Sequence, residues 1–146
     1  MNTDVPLHPT AIWEFQAQLG EGPVWDGQKE LLYWLDIKGR RLLILDMKNG
    51  GKDSIGLSTE VGSIALKTDG DLIAATKKGF AQLNPKTGML SFLVDPEAHL
   101  ASNRFNDGKC DRVGNFIAGT MDELEKRALG TVYRLGADLS VKPLFG

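Results

Sequence analysis

Three stretches of this chain resemble one another, and their spacing limits the fold more than composition does. They are "GPVWDGQKELLYWLDIKGRRLLILDMKNG", "GSIALKTDGDLIAATKKGFAQLNPKTG" and "NDGKCDRVGNFIAGTMDELEKRALGTVYRLGADLS". Each opens on a short strand-like run and a turn: "WDGQKE", "KTDGD" or "DRVGN". A second apolar run follows ("LLYWLDI", "LIAATKK", "FIAGTMD"), then a hairpin, then a third run ("RLLILDM", "FAQLNP", "TVYRLGA"). A further run, "KDSIGL" or "LSFLV", closes the first two, and "VKPLFG" reads as an outer strand after the third. The turn glycines Gly27, Gly70 and Gly114 lie 43 and 44 residues apart. A period of about 40 to 45 residues with four short strands per unit marks a β-propeller blade. Three similar β-meanders in a sandwich are the competing reading.

The expected fold class is therefore all-β, a propeller of which this chain holds about three four-stranded blades. The 146 residues form one partial domain, with blade-like repeats at about 18–60, 61–100 and 101–146. The one helix-friendly segment, "MDELEKRAL" at 121–129, is short and highly charged. Three blades do not close a ring, since single-ring propellers take about four to eight. Either the chain is the N-terminal half of a longer protein, or two copies pair to complete the ring; the sequence favours the first.

Charge and apolar pattern exclude several partners. Net charge is −2 and the sequence pI 5.7, without the basic patch that nucleic acid requires. The pairs "RR" at 40–41 and "KK" at 77–78 read as solvated turn residues. Apolar runs are broken by a charge within about eight residues, well short of the roughly 20 that span a bilayer. The first residues show no signal-peptide pattern. The single cysteine, Cys110, forms no internal disulfide and fits a reducing cytoplasm. With neither His8 nor His99 near it in sequence, it reads as a small semi-buried strand residue rather than a nucleophile.

Two segments carry chemistry-bearing residues. In "LGEGPVW", Glu21 stands between two glycines and just before Pro23, which is expected to push Gly22 toward extended geometry. A lone carboxylate at a strand entrance is either a solvated turn residue or, facing a narrow channel, a ligand for a hard divalent cation. In "NRFNDGKCD", Asn106-Asp107-Gly108 reads first as a turn. Arg104 and Asn106 are two apart, so on an extended stretch they project to one side and Phe105 to the other. An Arg fork beside a carboxamide suits a polyhydroxylated or carboxylate-bearing ligand. Asp36 and Asp122, at the ends of second strands, read as turn caps. Trp13, Trp25 and Trp34 read as packing between blades, and Met47, Met89 and Met121 as core fillers.

"LGEGPVW" followed about eighty residues later by "NRFNDGKCDRVGNFIAGTMDE" closely resembles the regucalcin and gluconolactonase family, also called the senescence marker protein family. The resemblance runs from about Gln18 to about Leu135. It implies a six-bladed propeller with one divalent cation in its channel, calcium or zinc, and metal-dependent hydrolysis of sugar lactones. It implies Glu21 as a metal ligand and Arg104 and Asn106 as the pair that holds substrate hydroxyls, with Asp107 in support. The family's further substrate-contacting Glu falls by strict register on Leu124, flanked by Glu123 and Glu125; Glu123 is taken for that role. The family's remaining ligands, an Asn in "SNG" and a later Asp that serves as base, do not occur in this chain, so the base is expected beyond residue 146. The isolated chain is then expected to be weakly active or inactive. The alternative is a calcium-binding regulatory protein or a non-catalytic interaction module; Arg104 beside Asn106 has no use there and favours the enzyme.

Overall fold

Each short apolar run of the three repeats becomes a strand. The computed structural model describes residues 9–146, so His8 and the first part of the N-terminal reading lie outside the described residues. In chain order the strands are β1 (Gly20–Asp26), β2 (Leu31–Asp36), β3 (Arg41–Asp46), β4 (Lys52–Gly56), β5 (Val61–Leu66), β6 (Leu72–Thr76), β7 (Gly79–Leu83), β8 (Leu90–Val94), β9 (Asn103–Cys110), β10 (Phe116–Asp122), β11 (Val132–Leu135) and β12 (Val141–Phe145). They form three four-stranded antiparallel meanders, β1–β4, β5–β8 and β9–β12. The fold is all-β and propeller-like. There is no helix among the described residues, and hence none long and apolar enough to cross a membrane. The helix-friendly stretch finishes β10 at Asp122 and then turns. Pro143 sits in the outer strand β12, where its missing N–H costs no ladder bond.

The cores lie between the sheets. Tyr33, Leu35 and Leu42 of the first sheet meet Ile64, Leu72 and Ala74 of the second. On the other side, Ala65, Ile73 and Phe80 of the second meet Phe105, Phe116 and Tyr133 of the third. The middle sheet is covered on both faces, so β6 is buried at every position, with Leu72 and Ala74 turned one way and Ile73 and Ala75 the other. That is why "LIAAT" reads as an unbroken apolar run while β10 alternates. Phe105 reaches Phe80 at 4.5 Å and Tyr133 at 5.9 Å between ring centroids, seating β9 against the second sheet.

Gly27, Gly70 and Gly114 all lie in turns, as read; Gly70 and Gly114 adopt positive φ (93° and 86°), and in the first repeat Glu30 takes the left-handed conformation (φ 57°). Asp26 steadies that turn by accepting from the backbone N–H groups of Gln28 and Lys29, both at 3.0 Å. Other sequence readings need correction. Trp25, Met47 and Met89 are about half exposed or more and fill no core. Trp34, which alternates with the core residues Tyr33 and Leu35, faces the other side of the first sheet and meets Trp13 edge-on at 5.2 Å. Cys110 is exposed, not semi-buried.

Candidate active site

One rung repeats through the three sheets. The first residue of each inner strand pairs with the last residue of the second strand: Gly20 with Asp36, Val61 with Thr76 and Asn103 with Asp122. The second-strand residue caps the hairpin beyond it. Asp36 accepts from the backbone N–H groups of Leu19, Gly39 and Gln18. Burial opposes its ionisation, but those three donors outweigh it and hold the carboxyl below its ordinary value. Thr76 donates its hydroxyl to Gly79 O and accepts from Lys78 N–H. Asp122 accepts from Lys126 N–H and from Arg127, which lower its carboxyl in that order. The capping role read for Asp36 and Asp122 is therefore the one their hydrogen bonds serve.

Just beyond this rung every inner strand bulges. β1 takes three steps from Glu21 to Val24 while β2 takes two from Leu35 to Tyr33. β5 takes two from Val61 to Ser63 against one on β6. β9 takes three from Phe105 to Gly108 against two on β10. One extra residue per strand bends the backbone and re-aims the side chains around it. Gly22 makes the first bulge with φ +62°, which corrects the extended geometry expected before Pro23. The three inner strands run side by side in the same direction: Gly22 lies against Gly62, and Gly62 against the backbone of Phe105 and Asn106. At the far end Lys29 Nζ donates to Gly70 O, keeping the first two sheets in step.

The second residue of each inner strand is then Glu21, Gly62 or Arg104. Glu21 is exposed and accepts no hydrogen bond from any described residue. Arg104 is 7% exposed. Its Nη1 donates to Asn106 Oδ1 at 2.9 Å and to Phe105 O at 3.1 Å. Arg104 and Asn106 share one side of β9 and Phe105 takes the other, as their alternation predicts. Asp107 accepts from Gly108 N–H and is exposed, so it belongs to the bulge itself.

A web of charge surrounds Arg104. Glu60, just before β5, has Oε2 4.0 Å from Arg104 Nε and accepts from Lys38 Nζ at 3.2 Å. Lys38 also reaches Glu123 at 2.9 Å, and Lys77 reaches the other Glu123 oxygen at 2.5 Å. The ammonium groups of Lys77 and Lys38 hold the Glu123 carboxyl down at about 2. Glu123, with Glu60 in addition, raises the Lys38 ammonium above its ordinary value. Lys38 follows the second strand of the first sheet, Lys77 that of the second and Glu123 that of the third, so three hairpins are linked at one rim. The sequence reading missed Lys38, Glu60 and Lys77. For Lys77 the one available signal, "KK", pointed to solvent.

Below the rim a groove of about 380 Å³ follows the inner strands, lined by Gly22, Pro23, Ser63, Asp107 and Lys109 among others. The larger cleft, about 840 Å³, opens between the first and second sheets beside Lys29, Asp46 and Asp71, and touches none of the bulges. The bulges and the convergence of polar side chains favour the groove and rim as the functional end. Among the described residues no three His, Cys, Asp or Glu side chains stand close enough to hold one metal ion.

A family model described as "SMP-30/Gluconolactonase/LRE-like region" matches residues 19–145. A regucalcin of Gallus gallus is 37% identical over 130 residues, covering 85% of this chain and 43% of that protein. An L-arabinolactonase of Azospirillum brasilense is 33% identical over 147 residues, covering 94% of this chain and 48% of that protein. A crystal structure of a calcium-binding protein, regucalcin, from Agrobacterium tumefaciens superposes with a TM-score of 0.85 at 29% identity, over 92% of this chain and 45% of the other. The chain spans under half the length of these relatives.

Proposed function

Because this chain belongs to the SMP-30/gluconolactonase/LRE-like family, we propose that it supplies the substrate wall and one metal ligand of an enzyme that hydrolyses sugar lactones. The observation that carries this is the Arg104–Asn106 pair, joined at 2.9 Å on a bulged inner strand at the rim where Glu21 also emerges. Asn106 Oδ1 is taken by Arg104, which leaves its N–H₂ and the guanidinium's Nη2 to meet sugar hydroxyls. That fixes the ring in register, the part of catalysis that comes from orientation.

Glu21 fits a divalent cation, calcium or zinc, as one ligand. It is a hard oxygen donor with no competing partner among the described residues, aimed by a bulge. Calcium takes about 6 to 8 oxygens, so the other ligands come from water and from groups outside this set. When bound, the ion polarises the lactone carbonyl and lowers the pKa of water. Glu60 and Glu123 are both ion-paired at this rim, so the base is assigned to residues outside this chain. Glu123 touches substrate only by giving up one of its two lysines, and Leu124 is exposed with no polar side-chain atom to offer. Further blades, or a second copy, would bring the remaining donors to the channel. We place the reaction in the cytoplasm, where the exposed Cys110 stays reduced.

The test is acid release from gluconolactone with added calcium, zinc or manganese, run on the 146-residue chain and on a longer protein that contains it. The longer protein is expected to turn over and to lose about 100-fold or more with Glu21→Ala or Arg104→Ala. No ring opening with any of the three ions sinks the lactonase reading. Robust turnover by a monomer of the short chain, abolished by Glu21→Ala, sinks the view that other residues complete the site.

A further inference from the structure

The segment between β8 and β9 carries a buried carboxylate that no motif singled out. Glu97 is 7% exposed, and none of the ion pairs among the described residues includes it. Its partners are neutral. Oε2 accepts from Asn103 Nδ2 at 2.9 Å. Oε1 accepts from Thr120 Oγ1 at 2.9 Å and from the Tyr133 hydroxyl at 3.1 Å. These donors stand on β9, β10 and β11, so one side chain ties together three strands of the third sheet. A segment needed only for packing has no reason to bury a carboxylate, which is costly unless its hydrogen bonds do something a methyl group cannot.

What it grips most directly is Asn103, the residue before Arg104. The second Asn103 N–H goes to Leu129 O at 3.0 Å, so both amide donors are fixed. The amide orientation is thereby set, and Asn103 Oδ1 is left buried without a hydrogen-bond partner among the described residues, as is Arg104 Nε. Both residues line one small pocket of about 70 Å³ together with Glu97, Thr120 and Lys77. Arg104 is thus held by Asn106 at Nη1, while its Nε lies 4.0 Å from Glu60 Oε2, beyond hydrogen-bond reach.

We propose that Glu97 is a positioning residue for the substrate wall: by clamping Asn103 it sets the direction in which β9 presents Arg104 and Asn106. The purpose assigned to that wall rests on the lactonase reading; the positioning does not. The test is side-chain ¹H–¹⁵N NMR of the full chain carrying Glu97→Gln, which keeps the size but sets an N–H₂ among donors. The Arg104 Nε–H and Asn106 amide signals are expected to shift and broaden, while Arg41 in the first sheet stays in place. A folded Glu97→Gln with unmoved Arg104 and Asn106 signals overturns the proposal and leaves Glu97 a strut of the third sheet. If that variant fails to fold, Tyr133→Phe removes one donor from Oε1. A smaller shift of the same two signals then supports the proposal, and none overturns it. These signals are read without turnover. A protein that opens no lactone therefore leaves the inference standing, and a working lactonase with unmoved signals defeats it alone.

Discussion

Glu21 and Arg104 occupy the same rung of the first and third sheets, and their surroundings are opposite. Glu21 is exposed, its carboxylate without a hydrogen-bond partner among the described residues, beside a glycine at φ +62°. Arg104 is buried, bonded to Asn106 and Phe105, and backed by Glu60. Between them the rung holds Gly62 and no side chain. A charge left free at a bulge suits a group that completes its coordination on binding. A charge fixed in advance suits recognition, because little ordering remains when the ligand arrives. The middle position teaches why the two can coexist: β5 must come close enough to β9 for its backbone to support the wall.

That closeness gives the largest expected effect. A Cβ on Gly62 would lie 2.4 Å from Asn106 O and 2.5 Å from Phe105 O, both backbone atoms that no rotamer change can move. Gly62→Ala is expected to cost about 3 kcal/mol or more, read as a fall in the urea midpoint. An unchanged midpoint would mean that β5 does not support the wall. Next comes Asp36→Ala, which strips a cap from three backbone N–H groups. About 2 kcal/mol is expected, and a loss under about 0.5 kcal/mol would argue that water replaces the cap.

The repeat was legible because turns and apolar runs are local. The "strand then Asp" caps and the shared side of Arg104 and Asn106 were legible for the same reason, since both follow from two-residue alternation. The bulges were not. Pro23 pointed to an extended Gly22, but register across β1 and β2 forces an extra residue, and only glycine enters φ +62° cheaply. Glu60, Lys77 and Glu97 were missed because their roles depend on partners in other sheets or strands. Lys38 and Glu123, 85 positions apart, meet only after three hairpins are brought to one rim. Leu124 illustrates the limit of register: the motif sets it at a polar position, and the fold leaves it exposed beside an ion-paired Glu123.

The rim itself predicts a pH dependence. The Glu123 carboxyl is depressed from 4.5 to about 2, so its contribution is present above the unfolded value and lost as pH falls through about 2. Stability should therefore decline across pH 4.5 to about 2. Glu123→Gln should flatten that decline and cost about 1 kcal/mol near neutrality, a modest figure because the two lysines are partly solvated. A decline of the same size in Glu123→Gln would assign it to other carboxylates.

The smallest expected stability effect belongs to Glu21, and it separates the two ends of the rung most sharply. None of the described residues is bonded to this carboxylate, so Glu21→Gln should change the unfolding free energy by less than about 0.5 kcal/mol. Arg104→Ala removes two hydrogen bonds from a buried group and should cost about 1 to 2 kcal/mol. With calcium or zinc added to the longer protein the order reverses. A cation that binds only the native state raises Tm with its concentration. Glu21→Gln should abolish that rise, and Arg104→Ala should keep most of it. If Glu21→Gln proves destabilising without metal, the carboxylate has a structural partner and its freedom is not the mark of a ligand. If the metal-dependent rise survives Glu21→Gln, the ion is held elsewhere and the contrast between the two residues loses its chemical meaning.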